Sequence, residues 1–234
     1  MIDKAKSTID IDFLIKNQSI ELEKIEKVIK EIIGTKTNND FIKFNIKGFS
    51  EINAQKEYPG LAVNMIAEIG NTKTPINIDL GVGDVIVPKE EVRNVKTQLN
   101  DFEEINIKTY SIESVIAEKF DAILQRFEAT SRMKDFYDIW YLANMFEFSK
   151  KQLNKAITET IKNRNTVCSE NYMNRIEQMS NNQIILRRWK SFASKNDIEI
   201  EFSDAVNLIK KFIELNDNEG KDTIWNHRTQ EWES

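Results

Sequence analysis

The chain has 234 residues, 40% hydrophobic and 30% charged, with only seven Gly and three Pro; this excludes collagen-like, low-complexity and largely disordered chains and allows one large domain or two small ones. A net charge of −5 and a pI near 5.2 argue against a protein that coats DNA by charge alone, although a local basic patch is enough to touch one end of an RNA. A single cysteine, Cys168, and a single histidine, His227, exclude a disulfide framework and Cys-based or multi-His zinc sites within the chain, and no apolar run or apolar signal core points to a membrane, so a cytoplasmic location is expected.

In chain order, Thr8 to Ile15 alternates acidic and apolar residues with a period of two, the pattern of a strand. Leu22, Ile25, Val28, Ile29 and Ile32 then recur at helical spacing up to Gly34, which predicts a helix stop. Phe41 to Ile46 and Leu61 to Ile69 are β-branched or aromatic runs of strand length, with the turn pair Pro59-Gly60 before the second. Thr74 to Val87 reads as another strand, interrupted where Gly81 and Gly83 require a turn or bulge. From Ser111, an expected N-cap, Ile112, Val115, Ile116, Phe120, Ile123, Leu124 and Phe127 trace one helix face. Helices are expected over 132–146, 150–163, 170–195 and 202–216, and the tail from Asp217 is polar apart from Trp225 and Trp232, which dock either on the domain or on a partner. The class is therefore α/β (α+β). A mixed-sheet core occupies 1–110, a helical domain follows over 111–234, and the boundary lies in the weakly patterned stretch 89–110.

Two features carry chemistry. Asp10 and Asp12 lie one residue apart in a strand, so both carboxylates project to one face while Ile9, Ile11 and Phe13 are expected to anchor the other face in the core. Asp79 repeats the arrangement, with Ile76, Ile78 and Leu80 facing inward. Singly, such acids are read as exposed residues of an edge strand; together, three carboxylates from two strands suit a hard divalent cation, Mg²⁺ or Mn²⁺, of the kind used in nucleotidyl transfer. The second feature is Lys119, which falls inside the apolar stripe of its helix, with Arg126 seven residues on along the same line. A lysine so placed is costly unless an anion meets it, and it either snorkels outward or pairs with Asp135, which neighbours Asp138 on the next helix. Arg187-Arg188-Trp189-Lys190, followed by Lys195, is the candidate basic patch for an RNA end, and otherwise reads as a solvated helix face with Trp189 turned inward. His227 is expected at the surface and Cys168 as a small half-buried residue.

Taken in order, Thr8-Ile9-Asp10-Ile11-Asp12-Phe13, Ile76-Asn77-Ile78-Asp79, Ile116-Ala117-Glu118-Lys119-Phe120 and Arg132-Met133-Lys134-Asp135-Phe136-Tyr137-Asp138-Ile139 resemble the ordered motifs of the AbiEii/AbiGii toxin family, in the nucleotidyltransferase superfamily with a polymerase-β-like core. The resemblance implies Asp10, Asp12 and Asp79 as metal-binding acids, Lys119 as the nucleotide-phosphate or catalytic lysine, Asp135 as the acid of the last motif and Thr8 near the phosphates. To these the helix geometry adds Arg126 as a further phosphate contact. The resemblance further implies an NTP substrate, Mg²⁺ or Mn²⁺, a cognate antitoxin that often represses its own operon, and growth arrest in phage defence, in some members by adding nucleotides to the tRNA acceptor end. In the family a Gly-Ser or Gly-Gly pair precedes the Asp-x-Asp strand and cradles the triphosphate. Here nine residues precede Asp10 and none is Gly. Either the sequence starts late or this is a shortened homologue, and the alternatives to an RNA nucleotidyltransferase are an inactive binding module of the same fold and an antibiotic-modifying nucleotidyltransferase.

Overall fold

The computed structural model describes residues 11–16, 21–36, 41–52, 60–95, 103–213, 215 and 222–234. The described residues up to Asp84 form one compact unit, and those from Val85 to Ser234 form another.

The first unit is a four-stranded mixed sheet with one helix. Its strands are β1 (Ile11–Ile15), β2 (Ile42–Ile52), β3 (Gly60–Ile69) and β4 (Thr72–Val82), in the order β1-β4-β3-β2, with β1 parallel to β4 and the other pairs antiparallel. Gly70, at φ +57°, turns the chain between β3 and β4, a left-handed conformation that glycine adopts without penalty. Helix α1 (Leu22–Ile33) ends at Gly34 as the sequence predicts, and its Ile25 and Ile29 bury against Leu61, Val63, Met65 and Leu80, with Ile76 and Ile78 packed alongside. The inward alternation of β4 is thus as expected. The alternation of β1 is not, because Ile11 is 45% and Phe13 53% exposed. These side chains share the α1 face of the sheet, but β1 lies at the sheet edge, whereas the two buried residues of α1 pack on the β3 and β4 side chains. Ile9, expected to anchor with them, lies outside the described residues.

The second unit opens on a ribbon, β5 (Glu91–Val95) with β6 (Ile105–Thr109), in the stretch whose pattern was too weak to predict strands. Just before the ribbon, Val87 is buried in the helical core and ties itself to the next helix: its N–H donates to Ser114 Oγ (2.8 Å) and its carbonyl accepts from Ser111 Oγ (2.8 Å). The structural division therefore falls at Asp84/Val85, ahead of the expected 89–110. Ser111 also accepts from the Ser114 N–H, the predicted N-cap of α2 (Ile112–Arg126).

Helices α3 (Met133–Met145) and α4 (Lys150–Asn163) pack on α2, and α7 (Phe202–Phe212) packs on α3. The single helix expected over 170–195 is two, α5 (Tyr172–Met179) and α6 (Gln183–Lys195), because Asn182 accepts from the N–H groups of Ile184 and Ile185 and restarts the helix. The tail docks on this unit. Strand β8 (Ile224–Asn226) pairs with β7 (Phe148–Ser149) on one side and with β9 (Glu231–Glu233) on the other, Trp225 is fully buried and donates to the Ala143 carbonyl (2.7 Å), and Trp232 stacks on Phe212. Full burial of a large apolar side chain, as at Trp225, stabilises the fold by about 1.5–3 kcal/mol. Among the described residues no helix is long and apolar enough to cross a membrane.

Candidate functional site

On the first unit the residues of interest come from the outermost strand and its neighbour. The parallel register sets Ile11 opposite Ile78, Asp12 opposite Asp79 and Phe13 opposite Leu80. Since side chains alternate along each strand, Asp12 and Asp79 stand abreast on the face away from α1, with strands about 4.8 Å apart. The row continues through Ala62 of β3 and Ser50 of β2, and the adjoining row holds Asn77, Asn64 and Gly48. Carboxylates side by side repel, by about 1 kcal/mol at 4 Å in water and more where water is excluded, and a divalent cation between them reverses the sign. Asp12 is exposed and Asp79 half-buried, so the oxygen donors are accessible. A hard cation fits this all-oxygen donor set. Thr8 and Asp10 lie outside the described residues, and among the described ones no group of three or more His, Cys, Asp or Glu is gathered as a metal site.

On the second unit the site is built from α2 and α3. Helix α2 buries Ile116, Ala117, Phe120, Ile123 and Leu124, and Lys119 sits among them with its side chain only 20% exposed. The anion that this placement requires comes from α3. Lys119 Nζ donates to Asp138 Oδ2 at 2.6 Å and lies 3.6 Å from Asp135 Oδ1. Asp135, almost wholly buried, is itself met by Arg132, whose Nε and Nη2 donate to its Oδ2 (2.7 Å) and Oδ1 (3.5 Å). The order Arg132–Asp135–Lys119–Asp138 is thus a chain of alternating charge that joins the middle of α2 to the first turns of α3. Next to it, burial first, and then the nearby Tyr141 and Asp138, push the Tyr137 phenol above its ordinary range, which keeps it neutral.

The residue beside Lys119 in the motif looks elsewhere. Glu118 pairs with Arg164 (3.4 Å), and Arg164 also reaches the fully buried Asp121 (3.3 Å), which accepts further from Thr166 Oγ1 (2.5 Å) and Gln125 Nε2 (2.9 Å). Asp121 does not stand out in the sequence, where α2 shows one apolar face. A helix buried on two sides leaves an acid such as Asp121 in the interior, where it must be fully hydrogen-bonded. Asp138 was legible only as a neighbour of Asp135, and the signal that raises it is the lysine in the apolar stripe of α2 facing an acid pair on the following helix.

Other expected positions divide. Arg126, placed by periodicity on a line with Lys119, is exposed at the end of α2, and its Nη1 turns back to the Ala122 carbonyl (3.4 Å). The line breaks there because Phe127, at φ +40°, ends the helix under the Arg175 guanidinium, 3.7 Å above its ring. Trp189 is buried as expected, donating to the Ile200 carbonyl, with Arg187 and Lys190 exposed, whereas Arg188 reaches the Thr130 carbonyl (2.6 Å). Cys168 is exposed rather than half-buried, and His227 is half-buried rather than at the surface, because the tail that carries it folds onto the unit.

Comparison with known proteins adds the following. The family model described as "Nucleotidyl transferase AbiEii toxin, Type IV TA system" matches residues 4–208. No curated protein matches the sequence. The chain is similar to the crystal structure of JHP933 from Helicobacter pylori, with a TM-score of 0.44 and 13% identity over 88% of this chain and 76% of that one. It is also similar to a candidate nucleotidyltransferase of H. pylori, with a TM-score of 0.43 and 11% identity over 86% and 73% of the two chains. At these scores the two likenesses carry no argument.

Proposed function

The chain belongs to the AbiEii nucleotidyl transferase toxin family of type IV toxin–antitoxin systems, and from that premise we propose that it transfers a nucleotide from an NTP to an RNA end, such as that of tRNA, or to another hydroxyl, with a divalent cation as cofactor. The observation that carries this reading is the register that sets Asp12 abreast of Asp79 on adjacent parallel strands. In this proposal Asp12 and Asp79, with Asp10, hold Mg²⁺ or Mn²⁺ through oxygen ligands alone. When bound, the cation supplies Lewis-acid polarisation of the phosphoryl oxygens and lowers the pKa of an oxygen nucleophile.

Lys119 is the fixed cation for the phosphates. An ammonium already oriented by carboxylates needs no reorganisation when negative charge builds up on the phosphoryl oxygens, which is how such groups lower a barrier. Asp135 holds Lys119 from one side and is itself held by Arg132, so it acts on the phosphates through the lysine. Thr8 and Arg126 are additional phosphate contacts in this reading, and the family's type IV toxin–antitoxin setting supplies a cognate antitoxin as protein partner.

The test is transfer of label from each of four radiolabelled NTPs to total RNA in Mg²⁺, by the wild-type protein and by Asp12→Asn. Labelled RNA is expected from the wild type, with a loss of about 10²-fold or more in Asp12→Asn, the scale seen when one preorganised electrostatic group is removed. No labelled product from the wild type with any of the four nucleotides defeats the proposal.

A further inference from the structure

We infer that Asp138 is the positioning residue for Lys119, and that it, rather than the motif acid Asp135, sets where the ammonium stands. The charges are shared unequally. Asp135 lies between two cations, and its short contact, 2.7 Å, goes to Arg132 Nε, with Arg132 Nη2 reaching its other oxygen at 3.5 Å. Its distance to Lys119 is 3.6 Å, beyond a hydrogen bond. Asp138 offers Lys119 the one short charge-assisted hydrogen bond, 2.6 Å, and both side chains are largely withdrawn from water, at 16% and 20% exposure. A short bond of this kind between partly desolvated ions is about twice as strong as a neutral one and fixes direction as well as distance. Both anchors lie on rigid elements, α2 and α3, that pack directly on each other, so the geometry is imposed by the helix pair and not by loop conformation. Asp135 and Arg132 then neutralise one another, leaving Lys119 balanced by one carboxylate and with its remaining N–H groups available for phosphate oxygens.

The claim that this orientation serves phosphates rests on the reading of Lys119 given above, so the experiment separates the two. The first arm needs no activity. Folded protein is acetylated briefly with N-hydroxysuccinimidyl acetate, and modification of Lys119 is followed by mass spectrometry against the exposed Lys190 as internal control. Asp138→Asn is expected to speed acetylation of Lys119 about tenfold, the scale of losing a hydrogen bond between charged groups. Asp138→Glu, which restores the carboxylate, keeps it near the wild-type rate, and Asp135→Asn changes it less than Asp138→Asn does. An unchanged Lys119 rate in Asp138→Asn, or a larger change in Asp135→Asn, overturns the inference whether or not the protein transfers nucleotides.

The second arm uses the NTP and RNA of the transfer assay. Asp138→Asn is expected to lower kcat by about 10–100-fold, as removal of an orienting partner does, with KM for the NTP little changed and with kcat largely recovered in Asp138→Glu. An equal fall in both variants alongside a lowered melting temperature marks a purely structural role and overturns the inference. If the wild type labels nothing, the functional reading fails while the acetylation arm still decides whether Asp138 positions Lys119.

Discussion

In the helical unit Phe120, Phe136, Phe202 and Trp225 are fully buried, and Lys119 stands inside a wall of packed side chains, hydrogen-bonded to Asp138 and 3.6 Å from Asp135. In the sheet unit the buried cluster is Ile25, Ile29, Leu61, Val63, Met65 and Leu80, and the strand that carries Asp12 runs along the edge with Ile11 and Phe13 open to solvent behind it. The two units therefore present their candidate chemistry on very different supports. One presents a cation whose position is over-determined by packing; the other presents acids whose position depends on strand register with little burial beneath. Register alone is enough to align Asp12 with Asp79, since a slip of one residue would send Asp12 to the opposite face, but it leaves the acid pair on the less protected part of the fold.

This contrast can be broken or sharpened by substitution. The largest effect is expected for Phe120→Ala, which empties a fully buried site in α2 and should lower unfolding free energy by about 3–5 kcal/mol in urea or guanidinium titrations. Phe13→Ala, the same chemical change on β1, should cost about 1 kcal/mol or less because half of that side chain is already in water; a loss as large as that of Phe120→Ala would mean that the reverse face of β1 is covered.

The smallest effect concerns the docked tail. Asp222 accepts from Ser149 Oγ (2.6 Å) and from the Lys151 N–H (3.0 Å) at the start of α4, and the Ser149 hydrogen bond, first among the causes, holds its carboxyl below the ordinary value of 3.8. A carboxyl with a lowered folded value contributes stability that is complete above its unfolded range and disappears as pH falls through the folded value. Asp222 is exposed, so water screens these contacts and Asp222→Ala should cost only about 0.5 kcal/mol or less at pH 7, through the two lost hydrogen bonds; the gap from wild type should close on acidification below the ordinary carboxylate range, as read by denaturation midpoints at each pH.

Much of this was legible in the sequence wherever the signal is local. The Ser111 cap, the span of α4, the Gly34 stop, the strand-length run of β3 and the alternation of β4 follow from residue type and spacing within one element. What escaped depends on partners distant in the chain. Whether Ile11 and Phe13 are core or surface is decided by the sheet order, which puts β1 at an edge. The polar run Ser180-Asn181-Asn182-Gln183 interrupts the apolar period from 170 to 195 for only one turn, which spacing alone bridges, so α5 and α6 read as one helix where capping separates them. Trp225 and Trp232 gave no indication of what they would meet until β7 supplied a strand for their hairpin. In the candidate site, the acids of β1 and β4 and the lysine of α2 were readable as residue types in an ordered series. The pairing of Lys119 with Asp138, and the sharing of Asp135 with Arg132, required two helices to be set side by side. Asp121 was hidden for the same reason, since its partners Arg164 and Thr166 lie beyond the end of α4.

The parallel pairing of β1 with β4 also orders the assembly of the sheet. Strands β2, β3 and β4 follow one another in the chain as antiparallel neighbours, and β3 joins β4 through a tight turn, so these ladders close on contacts near in sequence. Among the described strands β1 has β4 as its neighbour and is separated from it by α1, β2 and β3, and contact order leads us to expect such a long closure to be slow. Asp12 is accordingly expected to reach Asp79 late in folding, and pulse-labelled hydrogen exchange checks this if β1 amides gain protection after those of β2, β3 and β4.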